Sequence, residues 1–358
     1  MKKKILLVDD SALMRRVLCD IIDSDDRFEV VDRAMNGLEA FDLLSRNTYD
    51  AVVLDVNMPR MGGIQLLQEL RKYKISARIL MASTDTIEGA KTTMDALELG
   101  ALDFVHKPDS AAECKQESFR ERLLQTLAVV ANSRPPVFDT AQKIVKDQET
   151  IQKVVDIAKK HSATSGRKVV AIASSTGGPR ALQAVIPRLP ANLNAPVVLV
   201  QHMPKGFTAS LAERLNNMSS VAVKEAAEGD VLRAGWVYLA MGGMHMNVRE
   251  VNGQCVIHYS DEPPREGVKP CANYMYESLS DCGQFDGVVC VVMTGMGADG
   301  TAGIKNLKPK KKIHVIAQNQ ESCTVYGMPK SAVNAGLADQ VVPLDQIAQE
   351  IILNVGVK

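Results

Sequence analysis

Short apolar runs separated by helix-period segments dominate the first third of the chain. Runs at 5–8, 30–35, 51–54, 77–82 and 101–105 recur at fairly even intervals. Between the first two, Met14, Val17, Leu18 and Ile21 fall at i, i+3, i+4 and i+7. That spacing predicts one buried helix face, with Asp10 or Ser11 as its cap. Strands alternating with helices predict a parallel sheet covered on both sides. Beyond the breaker Pro135-Pro136, the apolar positions Ile144, Ile151, Val155 and Ala158 form one stripe among lysines, glutamates and glutamines. The stripe predicts an amphipathic linker helix, and 162–166 reads as a turn after it. Strand-like runs then return at 169–173, 196–200, 221–224, 237–240, 287–293 and 314–317. A second, mostly parallel α/β sheet follows. The expected organisation is two doubly wound α/β domains, 1–128 and 167–358, joined by a linker over 129–166.

In open parallel sheets, functional groups collect at the carboxyl ends of strands. The first-domain runs end at Asp9 and Asp10, at Asp55, at Ser83 and at Lys107. Three carboxylates brought together repel unless a cation sits among them, and an oxygen-only set left partly open to water suits Mg²⁺. A lysine beside them and a hydroxyl opposite complete a set for phosphoryl transfer to a carboxylate, where placement and charge neutralisation carry the catalysis.

The second domain has its own chemistry at strand ends. The run 169–173 stops at Ser174, Ser175, Thr176, Gly177 and Gly178, and Pro179 then suits a helix start. The next run ends at Gln201-His202, and the run 287–293 ends at Thr294-Gly-Met-Gly-Ala-Asp299-Gly300. A serine hydroxyl is a weak nucleophile at neutral pH and needs a base, which in turn needs an orienting acid. Ser175, His202 and Asp299 supply those three roles, with backbone N–H groups nearby for an oxyanion. Gly295, Gly297 and Gly300 imitate a dinucleotide fingerprint, but Asp299 inside it would repel a pyrophosphate. The turn at Ser175 lacks Gly-x-Ser-x-Gly, since Ala173 occupies the first glycine position, which disfavours an ordinary α/β-hydrolase.

Composition narrows the class. At 358 residues the chain exceeds the ~250–300 at which single cores stop growing. Lys plus Arg equals Asp plus Glu at 42 each, so no global charge calls for nucleic acid or an anionic membrane. The apolar run after the first lysines is too short for a signal sequence, and no stretch approaches a membrane span, so no direct membrane insertion is expected. The seven cysteines are scattered without a Cys-x-x-Cys pair, which speaks against zinc or a disulfide framework. A soluble, cytoplasmic protein is expected.

The stretch 55–63 (Asp-Val-Asn-Met-Pro-Arg-Met-Gly-Gly), the pair Asp9-Asp10, Ser83, and Phe104-Val-His-Lys107-Pro108 resemble the receiver domains of two-component response regulators, which are flavodoxin-like. The resemblance implies phosphorylation of Asp55 by a histidine kinase, with Asp9, Asp10, Asp55 and the Asn57 carbonyl around Mg²⁺. It also implies that Ser83 and Lys107 meet the phosphoryl group, that Phe104 reorients with Ser83, and that a cis bond precedes Pro108. Ser-Thr-Gly-Gly-Pro at 175–179, Gln201-His-Met-Pro, Thr294-Gly-Met-Gly-Ala-Asp-Gly, and Tyr326-Gly-Met-Pro-Lys resemble the catalytic domain of the chemotaxis protein-glutamate methylesterases, the CheB family. This resemblance implies a cofactor-free Ser175–His202–Asp299 hydrolase acting on methyl-accepting chemoreceptors, with glutamine deamidation as a second activity. Register before Thr-Gly-Gly favours Ser175 over Ser174 as nucleophile. Met296, Thr176 and His245 are expected at the cleft, Met296 through its backbone at the oxyanion. Ala173 departs from the family's usual glycine, which puts the local turn geometry in question. A rival reading of the same residues is a phosphorylation-switched binding module without chemistry.

Overall fold

Val, Ile, Leu and Ala fill the strand positions so completely that Ala51–Asp55, Ile79–Ser83 and Gly287–Val292 are buried at every residue. Such runs belong to sheets covered on both faces. A computed structural model describes residues 1–83, 87–108, 110, 113–135, 151–158 and 166–358. The chain divides into two units, Met1–Asp139 and Thr140–Lys358.

In the first unit, β1 (Lys3–Val8), β2 (Phe28–Ala34), β3 (Ala51–Asp55), β4 (Ile79–Ser83) and β5 (Asp103–His106) form one parallel sheet in the order β2-β1-β3-β4-β5. That is the flavodoxin-like order, whose switch point lies between β1 and β3. The helix Ala12–Asp23 buries Met14, Val17, Leu18 and Ile21, and Ser11 caps it by accepting from the Met14 N–H. The helix Glu117–Asn132 runs past the boundary expected at 128 because its apolar face continues through Val130 and Ala131, both buried.

Of the expected linker helix, residues 151–158 are helical, with Val155 and Ala158 buried and Ile151 half-buried. Ile144, Pro136 and most of the turn at 162–166 lie outside the described residues.

The second unit carries β6 (Lys168–Ser174), β7 (Val197–Gln201), β8 (Ala222–Glu225), β9 (Trp236–Leu239), β10 (His245–Val251), β11 (Gln254–Ser260), β12 (Gly287–Val292), β13 (Lys312–Gln318) and β14 (Gln340–Val342). Seven of these make a sheet in the order β14-β13-β12-β6-β7-β9-β8, every pair parallel. The remaining pair, β10 and β11, is an antiparallel hairpin outside that sheet. The hairpin is an addition to the strand runs legible in the sequence; its two-residue turn, Asn252-Gly253, has both φ positive at 51° and 76°, the turn that Asn-Gly favours. One core cluster joins Val169, Ala171 and Ala173 of β6 to Cys290 and Val292 of β12 and to Tyr276. All seven cysteines are unpaired and buried. Among the described residues the cis peptide bond is Lys269–Pro270, so the bond before Pro108 is trans, the isomer an X–Pro bond ordinarily prefers. No helix among the described residues is long and apolar enough to cross a membrane.

Candidate active site

The central strand β6 is flanked by β12 and β7, with Ala173 in register with Val292 and Ser174 with Gln201. Ser175, His202 and Asp299 therefore follow three adjacent strand ends on one edge of the sheet. Backbone hydrogen bonds tie the edge together: the His202 N–H donates to Ser174 O at 3.1 Å, and the Ser175 N–H donates to Thr294 O at 3.0 Å.

Ser174 and Ser175 differ sharply in surroundings. Ser174 is fully buried and its hydroxyl donates to Gln201 Oε1 at 2.7 Å. Gln201 Nε2 in turn donates to the carbonyls of Ser175 and His202, at 3.0 and 3.2 Å. Ser175 is half-buried, the less buried of the two.

Asp299 is 2% exposed and surrounded by donors. Its Oδ2 lies 2.7 Å from His202 Nε2 and accepts from the Ala272 N–H at 2.6 Å. Its Oδ1 accepts from the N–H groups of Asn273 (2.9 Å) and Gly300 (2.8 Å) and from the Cys271 thiol (3.0 Å). Burial pushes the Asp299 carboxyl up, but His202, the thiol and the Ala272 N–H outweigh it and hold the group below the ordinary carboxylate value. The segment just before and into the helix Ala272–Ser278 thus acts as the carboxylate's cradle. With Nε2 committed to Asp299, Nδ1 is the imidazole nitrogen left for a proton from serine. The Ser175 hydroxyl makes no hydrogen bond to His202 among the described residues; catalytic hydrogen bonds are commonly loose before substrate binds.

Glycines bring the backbone close to Ser175. A Cβ on Gly295 would stand 2.7 Å from Ser175 Cβ and strike Met328 Sδ, so only glycine lets this loop pass. Gly177 has φ 75° and opens the helix Gly178–Val185. The left-handed turn falls there and not at Ala173, which answers the question raised by the missing glycine. Thr176 is half-buried beside Ser175, and its carbonyl accepts from Thr294 Oγ1 at 3.0 Å. Met296 is 44% exposed on the Gly295 loop.

His245 does not join this edge. It is fully buried, Nδ1 accepts from the Cys271 N–H at 3.2 Å, and Nε2 lies 3.2 Å from Pro263 O. Both nitrogens serve the backbone, which leaves none for a substrate and gives His245 a structural part beside the Cys271 segment that contacts Asp299. Cys271 and Asn273 escaped sequence reading, since neither stands at a strand end. Their one signal is Pro270 ahead of a helix start.

In the first unit, carboxylate oxygens of Asp9, Asp10 and Asp55 lie within 4.8 Å of one another, Asp9 and Asp55 buried and Asp10 exposed. Lys107 Nζ bridges Asp9 Oδ2 at 2.9 Å and Asp55 Oδ1 at 2.8 Å. Burial raises the Asp55 carboxyl, Lys107 pulls it down, and Asp9 adds to the rise, leaving it above the ordinary value. Burial works against the Lys107 ammonium, but Asp55 and Asp9 outweigh it and raise its pKa. The Ser83 hydroxyl accepts from Thr93 Oγ1 at 2.8 Å, a partner the sequence did not mark. Phe104 is buried and Asn57 is exposed.

Fold and sites together define a two-unit α/β protein of the response-regulator class, with an acidic strand-edge pocket on one sheet and a Ser, His and Asp set on the other. The family model described as response regulator receiver domain matches residues 5–117, and that described as CheB methylesterase matches residues 170–351. A "protein-glutamate methylesterase/protein-glutamine glutaminase 1" of Syntrophomonas wolfei is 41% identical over 98% of this chain and 99% of its own. Proteins of Bacillus subtilis (41%, 97% of each chain) and Pyrococcus abyssi (40%, 98% of this chain and 93% of its own) carry the corresponding name without a number. The crystal structure of the Thermotoga maritima CheB methylesterase catalytic domain matches with TM-score 0.50 and 40% identity, covering 53% of this chain and 98% of that one. The chain belongs to the CheB methylesterase family and carries that family's receiver domain ahead of the catalytic one.

Proposed function

We propose that this protein hydrolyses methyl esters of glutamate side chains on chemoreceptors, and deamidates selected receptor glutamines, under control of phosphorylation at Asp55. The observation that carries the reading is the buried Asp299 carboxylate, 2.7 Å from the imidazole of a histidine that follows the strand beside Ser175. His202 Nδ1 takes the Ser175 proton as Oγ bonds to the ester carbonyl carbon. Asp299 holds the ring in the tautomer that this needs and stabilises the imidazolium. The proton then passes to the departing methoxide, released as methanol, or to the leaving amide nitrogen, released as ammonia, and water repeats the sequence on the acyl-enzyme. The Gly295 N–H is taken by Val325 O at 3.1 Å, so the N–H groups of Met296 and Gly297 are the candidate oxyanion donors.

In the receiver, Asp55 is the phosphoacceptor for a histidine kinase. The oxygen-only, partly open set of Asp9, Asp10 and Asp55, with the Asn57 carbonyl, fits Mg²⁺. Bound there, the ion would neutralise charge on the incoming phosphoryl group. Lys107, already between Asp9 and Asp55, would shift its pairing to that group, and Ser83 would exchange Thr93 for a phosphoryl oxygen. No cofactor is assigned to the catalytic domain, and the site of action is cytoplasmic.

The test is release of labelled methanol from methyl-labelled receptor, with and without a small phosphodonor. Release should rise with phosphodonor and fall by about 10⁴–10⁶ in Ser175→Ala. Ser174→Ala should keep turnover. A chain that binds receptor but releases no methanol would defeat the reading in favour of a binding module.

A further inference from the structure

Cys271 is fully buried, and its thiol has a defined target. Sγ lies 3.0 Å from Asp299 Oδ1, and the Cys271 N–H is held at 3.2 Å by Nδ1 of His245. His245 is itself fixed against Pro263 O. A chain of contacts therefore runs from a buried neutral imidazole, through one cysteine, to the far oxygen of the carboxylate that faces His202.

We propose that Cys271 is a positioning residue for the acyl-transfer reaction: its S–H donates to Asp299 Oδ1 and so fixes the carboxylate with Oδ2 toward His202. The inference rests on the function proposed above and adds a residue to it. Two backbone N–H groups share Oδ1, so the thiol sets the carboxylate's charge distribution more than its existence as an anion. Burial, and then the Asp299 charge, push the thiol up to about 12, so it stays protonated and able to donate across the working pH range. The ionisable groups around the pair come from several elements. His202 faces Asp299 from the end of β7, Tyr276 lies on the helix Ala272–Ser278, and Arg265 acts on the thiol from the loop before it. None of these side chains is a hydrogen-bond alternative to the thiol at Oδ1.

Losing the S–H concentrates negative charge on Asp299, which then holds a proton on His202 more firmly. The acid limb of kcat/KM should move to higher pH. Steady-state kinetics of the full-length chain on methylated receptor test this. Cys271→Ala should lower kcat about 3–10-fold, the scale of one hydrogen bond, with KM within about twofold. Its acid limb should rise by about 0.5 pH unit, a fraction of the shift that a full charge change produces. Cys271→Ser, which keeps a donor, should restore both values toward wild type. If Cys271→Ala does not fold, Cys271→Val fills the space without a donor and carries the same expectation. An unmoved acid limb in the folded non-donor variants, or equal losses in Cys271→Ser and Cys271→Ala, would overturn the assignment. A wild-type chain with no methanol release would instead sink the underlying function.

Discussion

Two histidines of the catalytic unit show how surroundings decide what a residue can do. His202 follows β7 with one nitrogen on Asp299, whereas His245 spends both nitrogens on backbone groups. From sequence, each is a histidine after or near a strand end, and only the contacts separate them. Burial holds the His245 imidazole below its ordinary value. Its unfolded form then binds protons that the folded form does not, so stability is complete above about pH 6.5 and declines as pH falls toward the lowered folded value. Urea melts from pH 8 to 5 should show that decline for the catalytic unit. In His245→Asn the slope should flatten, even though the variant is less stable at pH 8 through lost contacts. The adjacent serines teach the same lesson: motif register chose Ser175, and the Ser174–Gln201 hydrogen bond supplies an independent physical reason.

At the scale of elements, the strand ends were legible because a parallel sheet writes each strand as an uninterrupted apolar run and places chemistry directly after it. Asp9, Asp55, Ser175 and His202 all sit where that rule puts them. What stayed hidden came from elements with weaker signatures. β10 and β11 alternate too little to stand out, and the Asn252-Gly253 turn between them carries the only local signal. Thr93 is one polar residue within a helix, and its pairing with Ser83 depends on how that helix is rotated. The Gly295 loop, by contrast, was marked by its glycines, and the structure supplies the reason for the first of them. Gly295→Ala would force the backbone away from Ser175 and Met328. It should lower kcat about 10²-fold, the cost of misplacing a reacting group by about 1 Å, with smaller effects on receptor binding. Comparing kcat with receptor affinity checks this; a near-normal kcat would show that the loop can yield.

On the scale of the whole molecule, chain length alone indicates two cores, and each α/β unit has its own sheet and its own strand-edge site. A ligand confined to one site should then stabilise one unit. Calorimetry with Mg²⁺ should raise the unfolding temperature of the receiver unit, by the equivalent of about 2.7 kcal/mol at a hundredfold excess over Kd. The gain should vanish in Asp10→Ala, which leaves the buried Lys107 bridge in place. A rise confined to the catalytic unit, or one that persists in Asp10→Ala, would contradict the assignment of the acidic pocket.

The burial of every cysteine has a practical sequel. Cys19 and Cys114 lie in one unit, and Cys255, Cys271, Cys282, Cys290 and Cys323 in the other. A native chain offers maleimide nothing to alkylate, so each label that appears timestamps an opening event and its position says which half came apart. The protein carries its own internal clocks, two on one side and five on the other, readable by mass spectrometry without inserting a probe.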